Sequence, residues 1–210
     1  MTRSQVLATE KEALGFYLSD HPLSGTDGLF KKWVTCSIRD LGAQEHKKRV
    51  ILAGIVSSLR ELITKKGTRM GFVQLEDLTG TAELVVFPDV FAKAETFLKG
   101  ETPILVGGVL EKDGESLKIL VDQVTDSQEL SAKVKRFTVR WNADFHERVK
   151  DFVSVLKSNP GGTRVQSRVR LPEVGQEALV EWEGGITLNQ KFLDELQLLT
   201  DEKDFFEVQL

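Results

Sequence analysis

From Arg49 onward the hydrophobic period of the chain changes, and that change organises the reading of everything around it. Residues 49–64, RVILAGIVSSLRELIT, are rich in Val and Ile and broken at Gly54, which predicts a long strand. Four further β-rich runs follow: MGFVQLED (70–77), TAELVVF (81–87), PILVGGVLEK (103–112) and ESLKILVDQVT (115–125). Turn formers separate them. The Asp113-Gly114 step predicts a hairpin, because glycine supplies the positive φ that a tight turn needs. One segment of helical period interrupts the strands, PDVFAKAETFLKG (88–100). Pro88 suits its first turn and Gly100 its stop, and Phe91, Ala94, Phe97 and Leu98 form one apolar stripe.

The flanks differ. Residues 4–18 carry Val6, Leu7, Ala13, Leu14, Phe16 and Tyr17 at helical spacing, and the turn-rich 19–28 ends that helix. A short apolar segment, Leu29–Val34, precedes a polar stretch at 40–48 that reads as a linker. Beyond 131 the elements alternate: strand 137–141, amphipathic helix 143–158 with Phe145, Val149, Phe152, Val153 and Leu156 on one face, a stop at 159–163, strand 164–171, strand 178–188 with a turn at Gly184-Gly185, helix 189–201 and a last strand in FFEVQL. Three strands, one helix and two strands, with a long first strand, is the order of the OB barrel. The expected fold is mainly β with α. A helical lead-in and linker (1–48) precedes a five-stranded OB-fold barrel (49–126), and a small α+β domain (131–210) follows.

Composition narrows this picture. A chain of 210 residues can bury a core without staples. Its formal net charge of −4 excludes a global basic field, so any affinity for nucleic acid must be local. The single cysteine, Cys36, excludes an intramolecular disulfide and fits a reducing compartment. No apolar run suits a membrane span, and the first residues lack the apolar core of a signal peptide, so a cytoplasmic location without a membrane partner is expected. His21, His46 and His146 match no metal spacing; GxGxxG, P-loop and GxSxG motifs are absent. No metal, cofactor or catalytic centre is expected. Trp33, Trp141 and Trp182 read as anchors of a core or of a domain boundary.

An OB barrel binds through the outer face of its second and third strands and through its hairpin loops. If Val73 and Leu75 point inward, strand parity turns Phe72, Gln74 and Glu76 outward, and Glu83, Val85 and Phe87 with them. Phe72 and Phe87 are then candidates for base stacking unless a neighbouring segment covers them, and Gln74 for a base edge. Arg60, Lys65, Lys66 and Arg69, on and beside the first hairpin loop, are candidates for phosphate contact; the alternative is a solvated hairpin tip. Lys112 and Lys118 flank the last hairpin but are diluted by Glu111, Asp113 and Glu115, and Glu83 opposes a polyanion. The pattern implies weak binding with little sequence preference. A second basic run, KVKRFTVR (133–140), is matched by Arg164, Arg168 and Arg170; it reads as a solvated strand face or as an extension of a nucleic-acid path.

Three stretches carry a specific resemblance. EKEALGFYLSDHPL (10–23), KKGTRMGFVQLEDLTGTAELVVFPDVF (65–91) and ILVGGVLEKDGESLKILVDQV (104–124) resemble the C-terminal region of bacterial DNA polymerase III alpha subunits, and 131–210 resembles the C-terminal domain of the same subunit more loosely. FVQLEDLTG alone is shared with OB modules of aminoacyl-tRNA synthetases. The resemblance implies a barrel that holds single-stranded DNA template and a terminal domain that contacts the tau subunit of the clamp loader. The polymerase aspartates of that family lie in a domain absent here, so the implied role is non-catalytic and complementary to the rest of the alpha subunit. The family's clamp-binding peptide has no copy, since Gln197-Leu198-Leu199 lacks the aromatic end. A protein-only scaffold and an anticodon-type RNA module remain as alternatives.

Overall fold

In the computed structural model, residues 30–114, 116–141, 145–200 and 205–209 are described. The helix expected over 4–18 and the segment 10–23 lie outside them. The chain divides into two compact units, Met1–Ser127 and Gln128–Leu210.

The first unit is a closed barrel of strand order β1-β2-β3-β5-β4. Its strands are β1 (Arg49–Ile63), β2 (Arg69–Glu76), β3 (Thr81–Val86), β4 (Ile104–Asp113) and β5 (Ser116–Asp126), with helix α1 (Pro88–Leu98) between β3 and β4. β1 serves two neighbours, pairing with β4 over Arg49–Gly54 and with β2 over Ile55–Ile63. The strand continues through Gly54 rather than breaking there. A side chain at that corner would drive its Cβ to 2.5 Å from Leu75, so glycine lets the strand turn from one partner to the other. A register shift between Val56 and Ser58 completes the bend. The parallel pairing of β3 with β5 closes the ring.

The core is aliphatic. Leu75, Leu84, Val86, Ile104, Val106 and Leu110 are fully buried. α1 plugs one end, with Phe91, Ala94 and Leu98 buried. The Phe91 ring lies 2.9 Å from where a Cβ of Gly71 would be, so the missing side chain is what admits the plug. Burial of this kind stabilises by roughly 25 cal/mol per Å² of apolar surface. The other hairpin follows expectation, with Gly114 at φ +59° and Asp113 opposite Ser116.

The stretch read as a linker is part of the barrel. Leu41, on a 3-10 turn at Arg39–Ala43, and Ile38, just before that turn, belong to the same core. Asp77 fastens this segment. One carboxylate oxygen accepts from the Thr79 and Gly80 amides and the Thr79 hydroxyl, closing the β2–β3 turn; the other accepts from the Ile38 amide at 2.8 Å.

The second unit is a four-stranded sheet of order β8-β7-β6-β9. Its elements are α2 (Ser127–Lys133), β6 (Arg136–Trp141), α3 (Phe145–Ser158), β7 (Pro160–Leu171), β8 (Gln176–Ile186), α4 (Gln190–Gln197) and β9 (Phe206–Gln209). β6 and β7 run parallel across α3; β8 and β9 are antiparallel to their neighbours. Three expectations change. The seven-residue α2 is new, β7 begins at Pro160 instead of after a stop, and β8 passes through Gly184 (φ +83°) without a turn. The core is aromatic: Phe137, Phe152, Phe192 and Phe206 are buried. Trp141 and Trp182 both donate their indole N–H to the buried Ser167 hydroxyl, at 3.1 and 2.8 Å. Both therefore anchor the core of this unit.

Candidate nucleic-acid interface

Strand parity holds where it was read. Gly71, Val73 and Leu75 are buried and alternate with half-buried Met70, Phe72, Gln74 and Glu76. Register then lines up outward residues across the barrel. One row runs Arg60, Phe72, Val85, Leu120 and Val109; the next runs Ser58, Gln74, Glu83, Lys118 and Glu111. On the other side of the first row, Leu62 faces Met70, and Phe87 lies two residues beyond Val85 on the same side.

The first row and its flank form an apolar platform. Phe87 is 46% exposed and Leu62 42%, while Val85 is buried between Phe72 and Leu120 although it points outward. Phe72 is not bare. The Arg60 guanidinium sits 5.2 Å from its ring centroid, a cation–π contact that partly covers the ring. A base stacking here must slide between the two or stack on the guanidinium. The second row is polar: Lys118 Nζ lies 3.3 Å from Glu83, so cation and carboxylate neutralise each other beside Gln74.

The remaining cations divide sharply. Lys65 and Lys66 are exposed at the tip of the β1–β2 hairpin, and among the described residues no carboxylate pairs with them. Gly67 turns that tip at φ +77°. Arg69, by contrast, has the parity of the barrel interior. It emerges at the end closed by α1, where Glu95 holds it by two bonds of 2.7 and 2.5 Å and Glu61 lies at 3.4 Å. Lys99 bridges the same two glutamates at 2.7 and 2.8 Å. Hydrogen bonds from Arg69, then from Lys99, lower the Glu95 carboxyl to about 2, and the Arg69 and Lys99 pKa values are correspondingly raised. Lys112 is also committed: its ammonium donates to the Gly42 carbonyl at 2.7 Å.

The structure thus brings Arg60, Phe72, Gln74, Phe87 and Lys118 onto one face with Lys65 and Lys66 at its edge. It turns Arg69 and Lys112 to the barrel ends. Met70 and Leu62 were not singled out from the sequence. Their signal was available, since Met70 precedes Phe72 by two and shares its face. Elsewhere, burial raises the pKa of the half-buried Cys36 thiol, which leaves it a poor nucleophile. No group of three or more metal-ligating side chains occurs among the described residues.

Comparison with known proteins gives two results. Residues 50–127 match the family described as the OB-fold nucleic acid binding domain. The chain is also similar to DNA polymerase III subunit alpha from several bacteria. It is 34% identical over 131 residues to that of Aquifex aeolicus, covering 61% of this chain and 11% of that protein. The Deinococcus radiodurans protein is 32% identical over 177 residues, covering 80% and 13%. The Halalkalibacterium halodurans protein is 34% identical over 185 residues, covering 82% and 16%. The chain thus spans about an eighth of the length of these relatives. Coverage of four-fifths of this chain exceeds the whole first unit, so the similarity reaches into the second.

Proposed function

We propose, on the premise that residues 50–127 are an OB-fold nucleic-acid-binding domain and the chain is homologous to one segment of DNA polymerase III subunit alpha, that the barrel's outer face binds single-stranded DNA. The observation that carries this is the outward row of Arg60 and Phe72 flanked by Met70 and Phe87. Such a platform stacks bases without reading them, because every base offers a π-face. Lys65 and Lys66 track the backbone beside it, and Gln74 reaches a base edge. Two free lysines on an acidic chain give weak binding, useful when a tethered polymerase raises the local concentration. The chain itself is non-catalytic and works in the bacterial cytoplasm as part of an alpha subunit. Its segment 131–210 contacts a replisome partner, the tau subunit of the clamp loader.

A second reading, a scaffold that binds only protein, draws support from Glu83 on the binding face. Fluorescent oligo(dT) titrated at several salt concentrations separates the two. The DNA reading expects binding with a negative salt slope, weakened by Phe72→Ala. Absence of binding at low salt, together with binding to tau, establishes the scaffold instead. A preference for structured RNA over oligo(dT) points to an anticodon-type module. Deleting 131–210 should abolish tau binding and spare DNA binding.

A further inference from the structure

The second unit holds a cluster of cations that the barrel's role does not use. At the end of its sheet lies a cleft of about 1010 Å³, lined by Lys135, Arg136, Arg164, Thr163, Thr187 and Asn189 among others, with no Asp or Glu side chain in its wall among the described residues. Arg136 and Arg164 are direct register partners on the parallel strands β6 and β7. Neighbouring strands lie about 4.8 Å apart, so two like charges stand side by side, an arrangement that destabilises a sheet unless something neutralises it. The protein does so only loosely. Arg136 reaches Glu181 at 3.8 Å and the Gln209 amide oxygen at 3.5 Å, while Arg164 pairs with no carboxylate among the described residues. Four residues further along both strands, the same ladder is satisfied differently: Arg168 and Arg140 share Glu207 at 3.1 and 3.7 Å. The loosely neutralised pair is therefore local to the cleft and is not a property of the whole face.

The backbone beside the pair is also shaped. Pro160 and Thr163 both oppose Ile186, so Gly161 and Gly162 are looped out without cross-strand partners. A Cβ at Gly161 would lie 2.4 Å from the Thr187 amide nitrogen, which demands glycine there. Gly162 borders the cleft and meets nothing within 4 Å, so its missing side chain keeps the approach to the guanidiniums open.

We propose that this cleft binds a phosphate-ester anion, gripped by the forked N–H groups of Arg136 and Arg164, with Lys135 adding charge. Arginine matches phosphate geometry because its planar fork donates two parallel bonds. The phosphate can come from a nucleotide or from a nucleic-acid strand. The inference rests on other residues than the barrel platform and stands or falls separately from it.

The test is an amide NMR titration of the full chain with tripolyphosphate at low ionic strength, against matched chloride. Shifts at Gly162, Thr163 and Arg164 are expected. Half-saturation should rise by about tenfold or more in Arg136→Gln/Arg164→Gln, and stay unchanged in Arg168→Gln. Gly162→Val, whose side chain enters open space, should block the cleft and serves if the double variant loses its native spectrum. Shifts confined to Lys65 and Lys66, or saturation unaltered by either cleft variant, would overturn the proposal. Repeating the titration with dATP and with oligo(dT) assigns the source: the stronger ligand at Arg164 identifies a nucleotide or a strand. Loss of oligo(dT) binding at the barrel in Phe72→Ala leaves the tripolyphosphate shifts in place.

Discussion

The two units solve opposite packing problems with the same residue types. The barrel fills its strands' interior with Leu, Ile and Val and turns Phe72 outward, with Phe87 next to it. The second unit buries Phe137, Phe152, Phe192 and Trp141 and turns arginines outward, interleaved with Glu177, Glu181 and Glu207. Aromatics inside give area and rigidity; aromatics outside give a platform but leave apolar surface in water. The difference teaches where to look for each kind of ligand. A ring-bearing face suits bases, and an arginine ladder without rings suits only charge.

The sharpest way to break this contrast is Phe72→Ala. Loss of a stacking ring should weaken oligo(dT) binding by roughly 5- to 150-fold, equivalent to about 1–3 kcal/mol per base. Arg168→Gln, on the ringless face and already neutralised by Glu207, should leave affinity unchanged in the same anisotropy assay. Equal losses in the two variants would erase the distinction.

Ser167→Ala probes the inward aromatics. It strips both Trp141 and Trp182 of their hydrogen-bond acceptor. An orphaned buried donor costs about 1–3 kcal/mol, so chemical denaturation should show a loss of that order, with oligo(dT) binding at the barrel intact. A neutral result would mean that the second unit's core is held by ring packing alone.

A smaller effect separates free from committed cations. Lys65→Gln/Lys66→Gln should reduce the salt slope of oligo(dT) binding by about 1.4, since each phosphate contact on a single strand contributes about 0.7. Arg69→Gln should leave the slope alone, because Glu95 and Glu61 already hold that guanidinium. A change of slope in Arg69→Gln would place the nucleic acid across the α1 end of the barrel.

These contrasts also mark what the sequence could reveal. Alternation in MGFVQLED placed Val73 and Leu75 inside and Phe72 and Gln74 outside, because a half-buried strand writes its two faces directly into its period. Arg69, read as a phosphate contact beside the first loop, instead shares the inner parity of Val73, and nothing local says that a helix arriving from residues 88–98 will close that end and bring Glu95. Lys112 is the matching case at the opposite end of the chain order, taken by the carbonyl of Gly42. Ile38 and Leu41 sit singly among polar residues, so their burial depends on a distant barrel mouth and on Asp77. Gly184-Gly185 carries turn composition yet lies within β8, where Gly184 takes φ +83° and a tight approach to the looped-out Gly161 and Gly162 leaves no room for a side chain at Gly185. Local period is legible; which end of a barrel is covered, and by what, is not.

The smallest expected effect is the most diagnostic of the committed cations. The Glu95 carboxyl is lowered to about 2 against an ordinary 4.5, by hydrogen bonds from Arg69 and Lys99. A depressed folded-state value means that the ionic cluster's contribution to stability is fully present above the unfolded carboxyl range. It is lost as pH falls through the folded value near 2. Arg69→Gln should raise the Glu95 value toward the ordinary range, though not all the way, because Lys99 remains. Carboxyl-detected NMR titration reads this residue alone. If Glu95 in the parent chain titrates near 4.5, Arg69 is not held in solution, and it rejoins Lys65 and Lys66 as a cation free to meet a phosphate.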